Sequence, residues 1–295
     1  MLSIKQAAAL LRSGDLVAFP TETVYGLGAN ALDAAAVAKI YQLKGRPASS
    51  PLIVHVSSIE MAKTLVAEWP PRAEALARRY WPGPLTLVLP KTPAIPDIVS
   101  AGLPTVGIRV PNHPVALELI AEAGVPLAAP SANKFTGLSP TTADHVRRAF
   151  GDAVPVLDGG PCQVGIESTV VSVEGPEIRL LRSGMIGFPD IERAVAIPGS
   201  PHPAPGMHAR HYSPRTPLTL SEAPDPRGAY VWIARPAQAA RVVHMPAAAA
   251  AYAALLYGVL HELDAEGWPS ITVEPPPDTI EWTAVLDRLH RAANQ

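Results

Sequence analysis

The sequence predicts an α/β protein with a mixed-sheet domain followed by a second, smaller α/β domain. Three observations lead to this fold class. Short apolar strands alternate with helical patterns along the first 181 residues, as is typical of α/β domains. Several strand patterns follow one another between residues 154 and 181, which argues against a purely parallel, doubly wound sheet. A proline-rich stretch at 197–217 then precedes a second series of strands and helices.

The first domain is predicted over residues 1–196. A helical stripe at 4–12 ends near Gly14, where a C-cap glycine is expected, and Asp33 is the predicted N-cap of the next helix, through Tyr41. Further helical patterns lie at 59–67, 72–80, 115–123 and 143–150. Strands are predicted at 16–19, 52–56, 85–89, 105–110, 126–129, 154–157, 168–173 and 178–181.

Residues 197–217 are predicted to form an extended linker, and residues 218–295 the second domain. Strand patterns occur there at 218–220, 230–234 and 271–273, with a helix at 247–263 and a terminal helix from about residue 280. The larger apolar side chains of the 247–263 helix recur at helical spacing, so this helix is expected to face a core. Its apolar run is too short for a membrane span.

Composition narrows the functional classes. Hydrophobic residues make up 48% of the 295 residues and charged residues 17%, which is a globular composition. The single cysteine, Cys162, cannot form an intrachain disulfide or a cysteine-based zinc site, and this favours a reducing compartment. The formal net charge of -2 implies no bulk attraction to nucleic acid. With no secretory pattern at the N-terminus, we expect a soluble, cytoplasmic protein that does not contact membranes.

The sequence lacks the standard nucleotide-binding loops. There is no G-x-x-x-x-G-K-[ST] pattern, and Gly26-Leu27-Gly28 lacks the third glycine of a dinucleotide fingerprint. Any nucleotide must therefore be bound by dispersed basic and hydroxyl groups. Such groups lie where predicted strands end, as ligands of open α/β sheets do, and arginine forks suit phosphate. They are Thr21, Glu22, Thr23, Lys44, Arg46, His55, Thr105, Arg109, Ser131, Asn133, Ser139, Ser168, Thr169 and Arg182.

Each of these groups also has a purely structural interpretation. Hydroxyls after strands are commonly turn formers or helix caps. Arg109 and Arg182 fit ordinary ion pairs at a sheet edge, and His55 fits a hydrogen-bonded core histidine. His208 and His211 have no carboxylates or cysteines nearby in sequence, so we expect no metal ligands from the protein. Spacing alone supports an α/β protein with an anion site.

Seven sequence blocks narrow the function further. They are FPTETVYGLGANA (19–31), KGRPASSPLIVHV (44–56), WPGPLTLVL (81–89), TVGIRVPNHP (105–114), PLAAPSAN (126–133), GIESTVV (165–171) and LLRSG (180–184). In this order, the blocks resemble the YrdC-domain family, in its longer, two-domain threonylcarbamoyl-AMP synthase form. The segment 205–214, PGMHARHYSP, looks like the linker of that form, and the C-terminal segment is similar to its second domain. The resemblance implies a twisted mixed-sheet, YrdC-like catalytic domain and a Rossmann-like C-terminal domain.

The resemblance implies a nucleotidyltransferase reaction. The amine of L-threonine captures bicarbonate as a carbamate, whose oxygen attacks the α-phosphate of ATP. Pyrophosphate leaves, and a partner complex transfers the threonylcarbamoyl group to an adenosine beside the tRNA anticodon. Mg²⁺ is expected as cofactor, held mainly through the ATP phosphates. Such chemistry needs charge stabilisation and positioning more than a protein nucleophile.

The resemblance also implies residue roles. Thr23, His55, Arg109 and Ser168 would bind threonine, with help from the Ala129 backbone. His211 and Tyr212 would form part of a lid over the pocket, and Lys44, Arg46 and Arg182 would be the catalytic cations. Asparagine is common in the family at position 50, so Ser50 keeps a hydrogen-bonding group with a shorter reach. The nucleotide would be bound by Lys44, Arg46, Ser50, Thr105, Ser131, Asn133, Ser139 and Arg182.

Two other functions, RNA binding and carbamoyl transfer, fit parts of the sequence. An RNA-binding module would use Lys44, Arg46, Arg109 and Arg182 as a basic concave face, but the neutral charge and the absence of an RNA-recognition motif weigh against it. Weak RNA binding is kept as a secondary role. A carbamoyl-transfer domain like those of hydrogenase maturation proteins would bring zinc-finger segments, which a single cysteine does not support.

Overall fold

The computed structural model describes residues 2–175, 177–188 and 211–293. Within the first two of these ranges, eight strands form one sheet in the order β1-β2-β6-β3-β5-β4-β7-β8. The β3–β5 and β4–β7 pairs are parallel and the other pairs antiparallel, which confirms the predicted mixed sheet. The strands are β1 (Val17–Phe19), β2 (Gly26–Asn30), β3 (Ile53–His55), β4 (Leu85–Pro90), β5 (Thr105–Arg109), β6 (Leu127–Ala128), β7 (Thr169–Ser172) and β8 (Arg179–Arg182).

The helices of this part are capped largely as the sequence predicts. Asp33 accepts hydrogen bonds from the N–H groups of Ala35 and Ala36, and Gly14 follows the first helix with a φ of +83°. The helices are α1 (Ile4–Arg12), α2 (Ala34–Lys44), α3 (Ile59–Lys63), α4 (Pro71–Tyr80), α5 (Asp97–Ser100), α6 (Pro114–Ala123) and α7 (Ala143–Phe150), and a 3-10 turn (Gly151–Ala153) follows α7.

Alternation along the strands separates the core from the functional face. Val54, Ile108 and Leu87 point to one face and belong to the largest apolar core, which also includes residues of α2 and α4. Successive side chains of a strand point to opposite faces. His55 and Arg109, which are register partners on β3 and β5, therefore share the other face. The backbone pattern of these strands thus places polar side chains together on one side of the sheet.

The second part is a Rossmann-like α/β unit. Within residues 211–293, four parallel strands form a sheet in the order β11-β10-β12-β9. This agrees with the predicted smaller α/β domain. Its elements are β9 (Leu218–Leu220), β10 (Ala229–Trp232), β11 (Arg241–His244), α8 (Ala249–Glu266), β12 (Ile271–Val273), a 3-10 turn (Ile280–Trp282) and α9 (Thr283–Ala293).

The two parts share a packed interface. Val24, Leu138 and Ile166 of the first part lie in one apolar cluster with buried residues of α8 and α9. Gly165 packs closely against α8, because a Cβ built on it would lie 2.3 Å from the carbonyl oxygen of Ala253. Any larger residue at position 165 would force the loop before β7 away from α8.

Several predicted elements were wrong. Residues 154–157 form only an isolated bridge, between Ala18 and Val156. The predicted helix at 59–67 ends at Lys63. Strand β2 was missed because its glycines resemble a loop. A Cβ on Gly28 would lie 2.8 Å from the Phe19 ring, so the missing side chain makes room for that ring. The helix α5 and the edge strand β11 were also missed.

The predicted domain boundaries at 196 and 218 stay predictions. Residues 189–210, which include most of the predicted linker, lie outside the described residues. In the part of the chain that the structure describes, no helix combines the length and the apolar character that crossing a membrane requires.

Candidate functional site

A cavity lies on the polar face of the eight-stranded sheet. It has about 540 Å³ of empty space, including its open mouth. Side chains from strand ends, from the loops that follow them and from the segment at 211–212 converge on it. Its lining is formed by Thr21, Thr23, Val24, Gly26, Arg46, Ile53, His55, Arg109, Ala129, Pro130, Ser131, Glu167, Ser168, Arg182, His211 and Tyr212.

Hydroxyl groups after β1 hold one arginine of the cavity. Thr21 donates its hydroxyl hydrogen to the carbonyl of Val24 over 2.6 Å, so the 2.8 Å contact between the two threonine hydroxyls has Thr23 as donor. Thr23 in turn accepts a hydrogen bond from Nη1 of Arg109 over 2.9 Å. The Thr23 hydroxyl is therefore fixed in orientation and has its remaining lone pair for a ligand donor.

Arg109 is held in the cavity by contacts with Thr23, Gly83 and Glu22. Its Nε donates to the carbonyl of Gly83, and its Nη2 lies 2.7 Å from Oε2 of Glu22 in a buried ion pair. The angles of that pair do not make a hydrogen bond, and Nη2 has no hydrogen-bond partner among the described residues. A guanidinium has five N–H groups, so Arg109 retains donors for a carboxylate.

His55 occupies the neighbouring strand end as a buried, neutral histidine. Burial, followed by the nearby charge of Arg109, lowers the pKa of His55 to about 3. Its ring meets Phe19 edge to face at 5.9 Å, and its Nδ1 has no hydrogen-bond partner in the described part of the chain. A buried nitrogen without a partner at the wall of a cavity is a group that a ligand or water is expected to satisfy.

This buried histidine predicts a pH dependence of stability. An unfolded histidine titrates near pH 6.5, so between about pH 6.5 and pH 3 the unfolded chain binds a proton that the folded chain does not. The stabilisation is fully present above pH 6.5 and is lost as the pH falls. We expect His55→Gln to lessen the decline in unfolding free energy on acidification by up to about 1.4 kcal/mol per pH unit. Urea unfolding across this range measures both slopes, and identical slopes would contradict the assignment.

Lys44 is the last residue of α2, and Arg46 follows it after the left-handed Gly45, whose φ is +65°. Arg46 lines the cavity and donates to the carbonyls of Ser50 and Pro51 over 3.3 and 3.1 Å. Burial lowers its pKa to about 10, which leaves it charged at neutral pH. Lys44 donates to the carbonyls of Ser131 and Asn133 instead, so its ammonium holds the loop after β6.

Arg182 and Ser168 form a further anion-binding corner. Nε and Nη2 of Arg182 each donate over 3.0 Å to Ser168, to its carbonyl and its hydroxyl respectively. Arg46, Arg109 and Arg182 have relative exposures of only 8%, 3% and 5%. Buried arginines that line one cavity favour binding of an anionic ligand.

The loop after β6 contributes backbone groups. The N–H of Ala129 donates to the carbonyl of Ile53, so the predicted help from the Ala129 backbone must come from its carbonyl oxygen. The side-chain nitrogen of Asn133 donates to the carbonyls of Lys134 and Gly137 and does not line the cavity. Ser131 lines the cavity, as predicted for a nucleotide-binding residue.

The segment at 211–212 closes one side of the cavity. Tyr212 has a φ of +60°, a conformation that costs a non-glycine residue energy, and its buried hydroxyl has no hydrogen-bond partner among the described residues. Ser213 donates its N–H to the carbonyl of Thr136, and His211 donates its N–H to the carbonyl of Arg291 in α9. These bonds fix the segment between the two parts of the chain.

Ten of the predicted site residues thus line one cavity, and five do not. Lys44, Ser50 and Asn133 lie behind it. Ser139 donates its only hydroxyl hydrogen to Glu167 over 2.5 Å and reaches the cavity through that carboxylate. Thr105 lies in an adjoining depression that shares Ile53 with the cavity. Sequence reasoning missed Glu167 as a lining residue, although it directly precedes the predicted Ser168.

The basic residues do not form an exposed RNA-binding face. All four residues proposed for RNA binding are buried: Lys44, Arg46, Arg109 and Arg182. They do not form the exposed concave surface on which the RNA-binding hypothesis depends. His208 lies outside the described residues. Within the ranges that the structure describes, no group of three histidine, cysteine or carboxylate side chains is arranged to hold a metal ion.

Comparisons with known proteins agree with this arrangement. A family model for Sua5, YciO and YrdC proteins, described as "Telomere recombination", matches residues 9–184. A second, described as "Threonylcarbamoyl-AMP synthase, C-terminal domain", matches residues 183–294. The two models together span nearly the whole chain.

Named relatives support the same family. The threonylcarbamoyl-AMP synthase of Pyrococcus abyssi is 48% identical over 233 residues, which cover 75% of this chain and 68% of the relative. That of Bacillus subtilis is 41% identical over an aligned length of 320 residues, covering 98% and 92%. The crystal structure of P. abyssi Sua5 complexed with L-threonine superposes with a TM-score of 0.91 at 37% identity, covering 98% of this chain and 94% of that one. The chain therefore belongs to the two-domain Sua5 form of the YrdC family of enzymes.

Proposed function

We propose that the chain catalyses the ATP-dependent synthesis of L-threonylcarbamoyl-AMP from L-threonine and bicarbonate, with release of pyrophosphate. The observation that carries this proposal is the convergence of buried Arg46, Arg109 and Arg182 on one cavity, beside hydroxyls and unpaired polar atoms. Two of those atoms are Nδ1 of His55 and the hydroxyl of Tyr212. A small, polar, anionic ligand satisfies such a site better than an apolar one.

Threonine fits the end of the cavity near Arg109. The free N–H groups of Arg109 can take the substrate carboxylate, and the Thr23 hydroxyl is held ready beside them. The carbonyl of Ala129 can accept from the substrate amine. A relative of the same fold has been crystallised with L-threonine, which supports this assignment.

The nucleotide fits the end of the cavity near Arg46 and Arg182. These arginines would bind the phosphates, where negative charge develops during transfer. The adjoining depression has about 270 Å³ of empty space, open solvent at its mouth included, and combines apolar Leu52, Ile53 and Val88 with Thr105. We assign the adenine to this depression, because a purine needs an apolar slot with a polar edge.

Mg²⁺ is proposed as a cofactor that neutralises phosphate charge. The carboxylates at the cavity are already paired, Glu22 with Arg109 and Glu167 with Arg288. Because both carboxylates are paired with arginines, we expect Mg²⁺ to be held mainly by the phosphate oxygens of ATP and not by protein side chains. The protein's own residues would bind and orient the two substrates.

The nucleophile is the carbamate oxygen of the substrate, so the protein has to position it and exclude water. Tyr212 is buried and lines the cavity together with Arg46 and Arg182. We propose that the segment at 211–212 shields the carbamate from water during the reaction. The product would then pass, in the cytoplasm, to a complex that transfers it to tRNA.

Pyrophosphate release tests this function. Incubating the protein with labelled bicarbonate, L-threonine, ATP and Mg²⁺ is expected to give threonine-dependent pyrophosphate and a labelled adenylate. The control reactions omit threonine or bicarbonate in turn. If pyrophosphate appears at the same rate without threonine, or not at all with every substrate present, the proposed function is wrong.

A further inference from the structure

Glu167 is a carboxylate at the wall of an otherwise cationic cavity. It is buried, and it directly precedes the Ser168 that Arg182 binds. An unpaired carboxylate here would repel phosphate and compete for the nearby arginines. Its partners therefore decide whether the cavity can accept an anion.

Two of the partners of Glu167 come from the C-terminal part of the chain. Nε of Arg288, in α9, donates to Oε2 of Glu167 over 2.7 Å, and the Tyr257 hydroxyl, in α8, donates to the same oxygen over 3.2 Å. Ser139 of the first part donates to Oε1. The carboxylate is thus held from both parts of the chain.

Arg288 is itself fixed in place. It is only 1% exposed, its Nη1 donates to Asp287 over 2.9 Å, and its guanidinium lies 5.0 Å from the centre of the Tyr212 ring. Gly165 packs closely against α8, and this contact places the loop that carries Glu167 beside the C-terminal part of the chain. Arg288 therefore contacts both the carboxylate and the ring that close the cavity, but does not line the cavity itself.

Arg288 and Arg182 together keep Glu167 ionised. Burial alone would raise the pKa of Glu167, but the charge of Arg288, and next that of Arg182, outweigh burial and lower it. Glu167 is therefore ionised at neutral pH. If Arg288 is removed, Arg182 becomes the principal remaining cation for the carboxylate.

We infer that Arg288 and Tyr257 are positioning residues for the nucleotide end of the site. They hold Glu167 and offset its charge, so that the carboxylate competes less with phosphate for Arg182. The C-terminal part of the chain thereby completes a site whose lining comes from the first part and the segment at 211–212. This inference rests on the proposed function, because it assigns the anion to ATP.

An Arg288→Met variant tests the inference, because methionine keeps an unbranched side chain and removes the charge. We expect the KM and Kd for ATP to rise by about tenfold or more, while the Kd for threonine stays within about threefold. Adding Glu167→Gln is expected to restore ATP affinity to within about threefold of the wild type. Arg227→Gln, which removes an exposed arginine of the same part of the chain, is the matched control.

Circular dichroism shows whether each variant is folded. Tyr257→Phe is a milder variant, because it keeps the aromatic ring and removes only the hydroxyl. It is expected to raise the KM for ATP about threefold, by the loss of one hydrogen bond to a charged group. Unchanged ATP affinity in folded Arg288→Met, parallel losses of both ligands, or no recovery with Glu167→Gln would overturn the inference. If Arg288→Met does not fold, an unchanged KM in Tyr257→Phe overturns it. A wild-type protein that neither binds ATP nor releases pyrophosphate would instead contradict the proposed function.

Discussion

Arg46→Ala is expected to reduce threonine-dependent pyrophosphate release by about 100-fold to 1,000-fold, the usual effect of removing one preorganised donor from a transferring group. Arg46 lines the cavity and remains charged despite its burial. Its carbonyl partners at Ser50 and Pro51 hold the guanidinium in place before any ligand arrives. Single-turnover assays with saturating threonine measure the effect.

Arg46 lies in a loop, yet it also contributes to the stability of the fold. Arg46 is buried, and its loss removes the hydrogen bonds that it donates to the carbonyls of Ser50 and Pro51, so some stability will be lost as well. Arg72→Ala is a matched control, since Arg72 donates from two nitrogens to the carbonyl of Val173, away from the cavity. Equal losses of turnover in both variants would mean that Arg46 acts only through folding.

Arg109→Gln is expected to abolish measurable threonine binding and to destabilise the fold. The change leaves Glu22 charged, buried and without its cation, and breaking a buried pair in this way costs about 3–5 kcal/mol. It also removes the donors assigned to the threonine carboxylate. Calorimetry with threonine and urea unfolding measure the two effects separately.

A double variant separates the two roles of Arg109. Adding Glu22→Gln removes the uncompensated charge, so stability is expected to recover while threonine binding stays absent. Arg147→Gln, in which an exposed arginine loses Asp144 and Asp158, is expected to cost at most about 1 kcal/mol and to leave threonine binding unchanged. Recovery of threonine binding in the double variant would show that Arg109 does not bind the carboxylate directly.

The strand-end rule predicted much of the site. His55, Arg109 and Ser168 lie at or next to the end of a predicted strand, and Thr23 lies in the loop that follows one. The structure brings all four to one cavity. The prediction worked because alternation along a strand fixes which side chains share a face. Alternation does not determine where side chains point outside the strands. Lys44 and Asn133 were therefore expected to line the cavity, but their side chains donate to backbone carbonyls of the loop after β6.

Long-range pairs could not be predicted from local patterns. Glu167 and Arg288 are 121 positions apart, and neither stands out in its own segment. Strand β2 was missed for a related reason, since its glycines are selected by the Phe19 ring packed against them and not by strand propensity. Both features depend on which segments meet after folding.

The position of Arg288 in the last helix described here has a consequence for protein synthesis. A chain leaves the ribosome from its N-terminus, and its domains fold as units in that order. Arg288 follows Glu167 by 121 positions, so the residues of the eight-stranded sheet are synthesised well before the cation that pairs with Glu167. We expect nascent chains that stop before α9 to have a folded first sheet but poor affinity for ATP. The order of translation would thus delay nucleotide binding until the C-terminal helix has docked.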